Sequence, residues 1–199
     1  MRVVTFLFFI TFLGTASALY YVDDADESIT YSSSAGIGYG TKWRKYSKDD
    51  NLLAVNVDPA LCFGKTASYT QCSSSDNCIM EIPFNGTGIT LFVAQDRGDI
   101  YNTTISLDGG PRENHFAYTP PNATQAYNVT LYDIQNLEHT MHTVNVGLDK
   151  GVSRLLFDFA VVSGDAPPTR LGSSEVGRGM VGTGTLLGVV VGVLAAGVL

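Results

Sequence analysis

Along residues 20–162 polar and apolar side chains alternate with a period of two, and no stretch carries an apolar stripe at helical spacing. Alternation of this kind puts one face of each segment in a core and the other in water, which only a strand can do. In residues 101–108 the residues Tyr101, Thr103, Ile105 and Leu107 are expected to face inward, with Asn102, Thr104, Ser106 and Asp108 outward. Residues 127–132 repeat the arrangement, with Tyr127, Val129 and Leu131 inside and Asn128, Thr130 and Tyr132 outside. Further strands are expected at 52–57, 79–84, 88–94, 143–148 and 154–162, with a short one near 28–31. Turn signals separate them: Asn85-Gly86 reads as a tight hairpin turn, Asp108-Gly109-Gly110-Pro111 closes a strand, and Thr119-Pro120-Pro121-Asn122 breaks the next. Many short antiparallel strands so spaced predict an all-β fold, an antiparallel β-sandwich of jelly-roll type.

The two ends follow a different grammar. Arg2, an apolar run over residues 3–12 and Ala16-Ser17-Ala18 form a signal peptide, so residues 1–18 are expected to be a helical leader and the mature chain to start at Leu19. Residues 181–199 carry no charge, and Gly172-Ser173-Ser174 with the polar spacer after it precedes them in the order that marks a glycolipid (GPI) anchor signal. A retained single transmembrane helix is the alternative; against it, no Lys or Arg follows the segment, and Gly188, Gly192 and Gly197 interrupt it. The organisation expected is thus a leader (1–18), an ectodomain (19–162), a stalk and anchor-site spacer (163–180) and a hydrophobic tail (181–199).

The net charge is −7, from 12 Lys and Arg against 19 Asp and Glu. An acidic chain without a basic stripe is repelled by phosphate backbones, which excludes nucleic acid as a natural partner. Sequons at Asn85, Asn102, Asn122 and Asn128 all fall between the processed ends and fit passage through the secretory pathway. Of the 3 cysteines, Cys72 and Cys78 are expected to pair across a hairpin whose loop is Ser73-Ser74-Ser75-Asp76-Asn77, leaving Cys62 as a buried thiol. A Cys62–Cys72 bond has equally acceptable spacing, and neither spacing is that of a zinc site.

The segments Tyr20-Tyr21-Val22-Asp23-Asp24, Ile82-Pro83-Phe84-Asn85-Gly86-Thr87-Gly88-Ile89, Ile105-Ser106-Leu107-Asp108-Gly109, His142-Thr143-Val144 and Leu156-Phe157-Asp158-Phe159, with Trp43 after a loop, carry a resemblance. Their order resembles fungal cell-surface proteins with a galactose-binding-like, carbohydrate-binding-module-like sandwich, often followed by a membrane segment. The resemblance spans residues 20–162 and implies a fold, a sugar-binding role and a weak calcium option, a structural ion between acids of the first and last strands. Asp24 and Asp158 are the candidates for it; the competing reading is a charged edge that discourages strand addition. No other metal or cofactor is expected.

Catalytic signals are thin. Glu138-His139-x-x-His142 is not a metalloprotease motif, and His142 reads as a strand-opening structural residue. Gly36, Gly38 and Gly40 lack the strand before and helix after that a phosphate loop needs, and there is no G-x-S-x-G elbow. Carboxylate pairs for glycoside hydrolysis can be drawn from Asp96, Asp99, Asp108, Glu113 and Asp133, too many to discriminate. The chain is therefore expected not to be an enzyme. Sugar binding needs an aromatic platform and polar groups, for which Trp43, Tyr46, Tyr101 and Tyr118 with Asp96, Arg97 and Asn114 are candidates. Trp43 serves equally well as a plug at one end of the core. The expected function is a glycosylated, membrane-tethered cell-surface protein that binds wall or foreign polysaccharide. A structural coat or adhesion protein is the alternative, and a small glycan-active hydrolase the third reading.

Overall fold

The computed structural model describes residues 18–34, 41–48, 56–72, 77–96, 100–118, 125–148 and 153–164. Ala18 of the leader and Ser163 and Gly164 of the expected stalk fall within them, Ser163 as the last residue of a strand; the rest of the leader and stalk and the hydrophobic tail lie outside. Eleven strands form two antiparallel sheets: β1 (Leu19–Asp23), β2 (Thr30–Ser34), β3 (Thr41–Ser47), β4 (Thr66–Cys72), β5 (Asn77–Gly86), β6 (Gly88–Asp96), β7 (Ile100–Leu107), β8 (Glu113–Tyr118), β9 (Gln125–Ile134), β10 (Thr140–Leu148) and β11 (Ser153–Ser163). One sheet runs β3-β4-β11-β6-β9 with β1 added beside β11, and the other runs β2-β5-β10-β7-β8. From β4 onward the chain changes sheet at every connection except β7–β8, the winding of a jelly roll.

Alternation explains most of this. In β10, His142, Val144, Val146 and Leu148 are buried, and they meet Met80, Ile82 and Phe84 of β5 in one core. In β9, Leu131 is buried with Tyr127 and Val129 packed against the core and Asn128 and Thr130 exposed, as the pattern predicts, but Tyr132, expected outside, is half-buried and packs against the core as well. In β7 the inward set is correct, but Thr104 and Ser106 are buried as well and Asn102 is half-buried. β7 lies between β10 and β8, with Ser106 opposite Asn145 and Thr104 opposite Gly147 on one side and Asn114 on the other.

The turn assignments near the sheet crossings need correction. Cys72 and Cys78 are joined, as expected. They do not close a hairpin, because β4 and β5 belong to different sheets, so the bond ties one sheet to the other. Cys62 is a buried free thiol. Asn85-Gly86 is not a hairpin turn either: β5 continues through both residues, and the chain passes to the other sheet at Thr87. The crossing is held against the end of β11, where the Thr87 amide donates to the Ser163 carbonyl (2.6 Å). A Cβ on Gly86 would run into the Ser163 carbonyl, and one on Gly164 into the Gly86 backbone. Gly86→Ala is accordingly expected to cost about 2 kcal/mol, read as a lowered Tm, because the obstacle is backbone on both sides.

Of the strand expected at 52–57, residues 51–55 lie outside the described set, and Asn56 and Val57 are not strand. Instead residues 56–65 carry two 3-10 turns, Pro59–Leu61 and Phe63–Lys65, laid over β3 and β4. The first is capped by Asp58, whose carboxylate accepts from the Ala60 amide (2.9 Å). β1 and β3, absent from the expected strands, complete the first sheet.

Candidate functional site

Two places in the fold concentrate chemistry, and they share Asp24. The first lies on the open side of the sandwich where β3 of one sheet approaches β2 of the other. A bulge in β3 between Thr41 and Arg44 shifts Trp43 out of register with β4. Its indole Nε1 donates to the Ser32 carbonyl of β2 (3.1 Å), bridging the sheets. The ring lies 4.9 Å from that of Tyr31 at an interplanar angle of 49°, and the Tyr31 hydroxyl donates to the Asp24 carbonyl (2.7 Å). Trp43 is neither a core plug nor a free platform; it is half-buried, leaning on the core from the rim. Beside the pair is an open hollow of about 390 Å³, lined also by Asp24, Asp26, Arg44, Lys45 and Ser68. Burial raises the Tyr31 phenol well above its ordinary value, so it remains a donor at every physiological pH.

The second place is the junction on the edge of β11 where β4 ends its pairing at Phe157 and β1 begins at Phe159. Against β6, β11 slips register at this point, so Asp158 is the extra residue of a β-bulge. Three acids gather there: Asp158 is 0%, Asp24 1% and Asp23 6% exposed. Together they face the 3-10 segment and the start of β4. Asp158 Oδ1 accepts from the Phe63 amide (2.7 Å), Asp24 accepts from the hydroxyls of Thr66 (2.6 Å) and Ser68 (3.0 Å), and Asp23 Oδ2 leaves no room for a Cβ on Gly64. Asp158 Oδ2 and Asp23 Oδ1 are buried with no hydrogen-bond partner. Burial raises the Asp158 carboxyl to about 7, with the charge of Asp23 adding to it. Asp23 is likewise raised to about 7, by burial and then by its hydrogen bond to Asp24. Asp24 is raised by burial, against the pull of Asp23, its two hydroxyl donors and Lys45.

The calcium option on Asp24 and Asp158 does not fit this geometry. Both Asp24 oxygens are occupied by hydroxyl donors and one Asp158 oxygen by an amide, and among the described residues no group of three or more acidic, His or Cys side chains converges on one point. Calcium requires six to eight oxygens. Nor does an exposed charged edge describe Asp23, Asp24 and Asp158, which are buried, whereas their neighbours Asp26 and Glu27 are half-buried and exposed.

The other sequence candidates scatter. Tyr46 is buried and its hydroxyl donates to the Val57 carbonyl (2.7 Å); Tyr101 is buried with its hydroxyl on the Ala94 carbonyl (2.6 Å). Both are core residues whose polar tips are satisfied by backbone. Asp96 accepts from the backbone and side-chain nitrogens of Asn56 (3.2 and 3.1 Å) and fastens that segment to β6. Asn114 is exposed on β8, the opposite edge of its sheet from β2. Arg97 and the Tyr118 side chain lie outside the described set. Only Trp43 among the proposed binding residues stands in the hollow; Tyr31, Asp26, Arg44 and Lys45 were missed, because the two rims that supply them meet only in the folded sandwich. His142 is structural, as its position suggested. Its Nδ1 meets Asp108 Oδ2 (2.7 Å) and its Nε2 the Glu138 carbonyl (2.8 Å), and Asp108 raises its pKa.

No family model and no curated protein matches the chain. Solved structures similar to it include the catalytic domain of a GH87 alpha-1,3-glucanase in complex with tetrasaccharides (13% identity, TM-score 0.46), over 79% of this chain and 31% of that one. An exo-beta-1,3-galactanase from Phanerochaete chrysosporium with beta-1,3-galactotriose is similar at 13% identity and TM-score 0.46, over 73% and 29%. The Agl-KA catalytic domain is similar at 12% identity and TM-score 0.45, over 82% and 31%. The chain thus spans less than a third of these structures, and likeness at this level extends no further than all-β architecture. It corrects one expectation nonetheless. Two of these structures are catalytic domains and the third is a galactanase, which runs against the expectation that the chain is not an enzyme; that expectation is dropped, and the likeness assigns no activity to the chain.

Proposed function

We propose that this β-sandwich interacts with carbohydrate through the hollow between β2 and β3, as part of a protein carried to the cell surface by the secretory pathway. The observation that carries the reading is the Tyr31–Trp43 pair beside acids and bases in one open depression. A pyranose presents an apolar face to an aromatic ring and hydroxyls to charged or hydroxyl partners, and few other ligands need both at once. Surface display is supported by the leader signal at residues 1–18 and the apolar stretch at 181–199. The reading is tested by pull-down of the secreted chain, residues 19–172, on chitin, β-glucan and mannan. Saturable retention on one polymer, weakened about tenfold, or about 1.4 kcal/mol, in a folded Trp43→Ala variant supports it. Absence of retention on all three sinks it and moves the assignment to a coat or adhesion protein.

Glycan hydrolysis is a second reading, favoured by one feature. Asp24 and Asp26 both border the hollow as a pair of carboxylates, and burial raises the Asp24 carboxyl above its ordinary value. Release of new reducing ends from a retained polymer, abolished by Asp24→Asn, is the result this reading requires; its absence removes the reading.

A further inference from the structure

Three sequons have their asparagine within the described residues, and the fold treats two of them in opposite ways. Asn128 lies on β9, the edge strand of its sheet opposite β3. Between the pairs Val93–Val129 and Gln95–Ala126, β9 carries one residue more than β6, a bulge that takes in Tyr127 and Asn128. Asn128 has φ 54°, the left-handed conformation that asparagine tolerates better than most residues, and its side chain is exposed, as is that of Thr130, which completes the sequon. Asn102 lies inside its sheet, on β7 between β8 and β10. Its side-chain Oδ1 is shut off from solvent, and Thr104 of its sequon is buried with its hydroxyl turned to the Gly147 carbonyl (3.4 Å).

We infer that Asn128 carries an N-linked oligosaccharide that covers the outer edge of β9, and that Asn102 remains bare in the folded protein. The inference rests on the secretory reading. In the transfer, Asn128 Nδ2 bonds to the anomeric carbon of a lipid-pyrophosphate-linked oligosaccharide. The bond from that carbon to the pyrophosphate oxygen breaks, the lipid pyrophosphate leaves with the electron pair, and the amide gives up one proton. A sugar on Asn102 would have to grow from a half-buried amide on an inner strand, beside a sequon threonine that is buried with its hydroxyl turned to the Gly147 carbonyl. On Asn128 the same sugar projects from a bulge beside the unpaired rim of an edge strand, the place where a sheet is most open to addition of another strand. The β2–β3 hollow, at the far edge of the sheet, stays clear.

The test is peptide mapping of the full chain secreted from a eukaryotic host, before and after endoglycosidase, alongside Asn128→Asp and Thr130→Ala variants. Asp keeps the tolerance for the left-handed conformation, and Thr130→Ala removes the sequon without touching Asn128. Expected are an oligosaccharide on the Asn128 peptide, its loss in both variants and an unmodified Asn102 peptide. A glycan on Asn102 in folded protein, or a bare Asn128 in a chain whose N-terminus has been processed to Leu19, overturns the inference while leaving the secretory reading intact. An unprocessed N-terminus with every sequon bare overturns both.

Discussion

At pH 8 an Asp158→Asn variant is expected to melt about 5 °C above the unmodified protein, and at pH 4 the two are expected to melt together. The reason is the closed junction around the bulge of β11. In the unfolded chain an aspartate titrates near 3.8, whereas burial holds Asp158, and beside it Asp23, to about 7 in the fold. Between those two values the folded protein keeps protons that the unfolded chain has released. Stability is therefore fully present below about pH 4, declines as the pH rises toward 7 and levels off above it. Asparagine in place of Asp158 removes one of these titrations, and its Oδ1 can still accept from the Phe63 amide. Its amide nitrogen would sit where the unpartnered oxygen was, with the unpartnered Asp23 Oδ1 as a candidate acceptor in the same cluster. Each pKa unit corresponds to about 1.4 kcal/mol, and imperfect hydrogen bonding of the new amide in the closed cluster reduces the gain to about 2 kcal/mol. The measurement is a set of thermal melts between pH 4 and 8, with and without calcium and chelator. A variant that melts lower at pH 8, or an unmodified protein stabilised there by calcium and destabilised by chelator, would contradict the protonated cluster and restore a cation in its place.

Removal of the disulfide is the second large effect. Cys72 and Cys78 are buried and tie the end of β4 in one sheet to the start of β5 in the other. The loop they close is short, so the chain-entropy contribution is about 2 kcal/mol, which for a domain of this size is a loss of about 5–8 °C in Tm. A Cys72→Ala/Cys78→Ala double variant is expected to show that loss and to become insensitive to reductant. Cys62→Ala, which touches no disulfide, should stay reductant-sensitive. Equal melting of oxidised and reduced unmodified protein would show that the bond contributes nothing, and a Cys62 peptide linked to Cys72 would replace the pairing altogether.

What could be read from the chain alone follows the range of the interactions. Strand faces are set by neighbours two residues apart, so Tyr101, Ile105 and Leu131 could be placed inward from the alternation. The bond between Cys72 and Cys78 was legible too, but not its meaning, because a hairpin and a sheet-to-sheet crossing both bring the ends of a short loop together. The same ambiguity turned Asn85-Gly86 into a turn when it is the end of a strand pressed against Ser163. Tyr46 and Tyr101 were chosen as ligand platforms on residue type, yet their hydroxyls are satisfied by backbone carbonyls of distant segments. Asp158 was expected on the outward side of its strand and is buried instead; the continuous apolar run around it, Leu155-Leu156-Phe157-Asp158-Phe159-Ala160, is the pattern of a strand covered on both faces. The bulge that singles out this acid, and the meeting of Tyr31 with Trp43, depend on pairing between strands far apart in sequence. Alternation has no access to those.

Because the chain contains 1 tryptophan, the hollow carries its own reporter. The most direct test of the carbohydrate reading is a titration of Trp43 emission with soluble oligosaccharides of chitin, β-glucan and mannan. Binding in the hollow predicts a saturable change in intensity or wavelength for one series, with an affinity that falls about tenfold, or about 1.4 kcal/mol, in a Tyr31→Ala variant. Unchanged Trp43 emission in the presence of a polymer that the protein demonstrably retains would place the binding elsewhere on the sandwich and contradict the account.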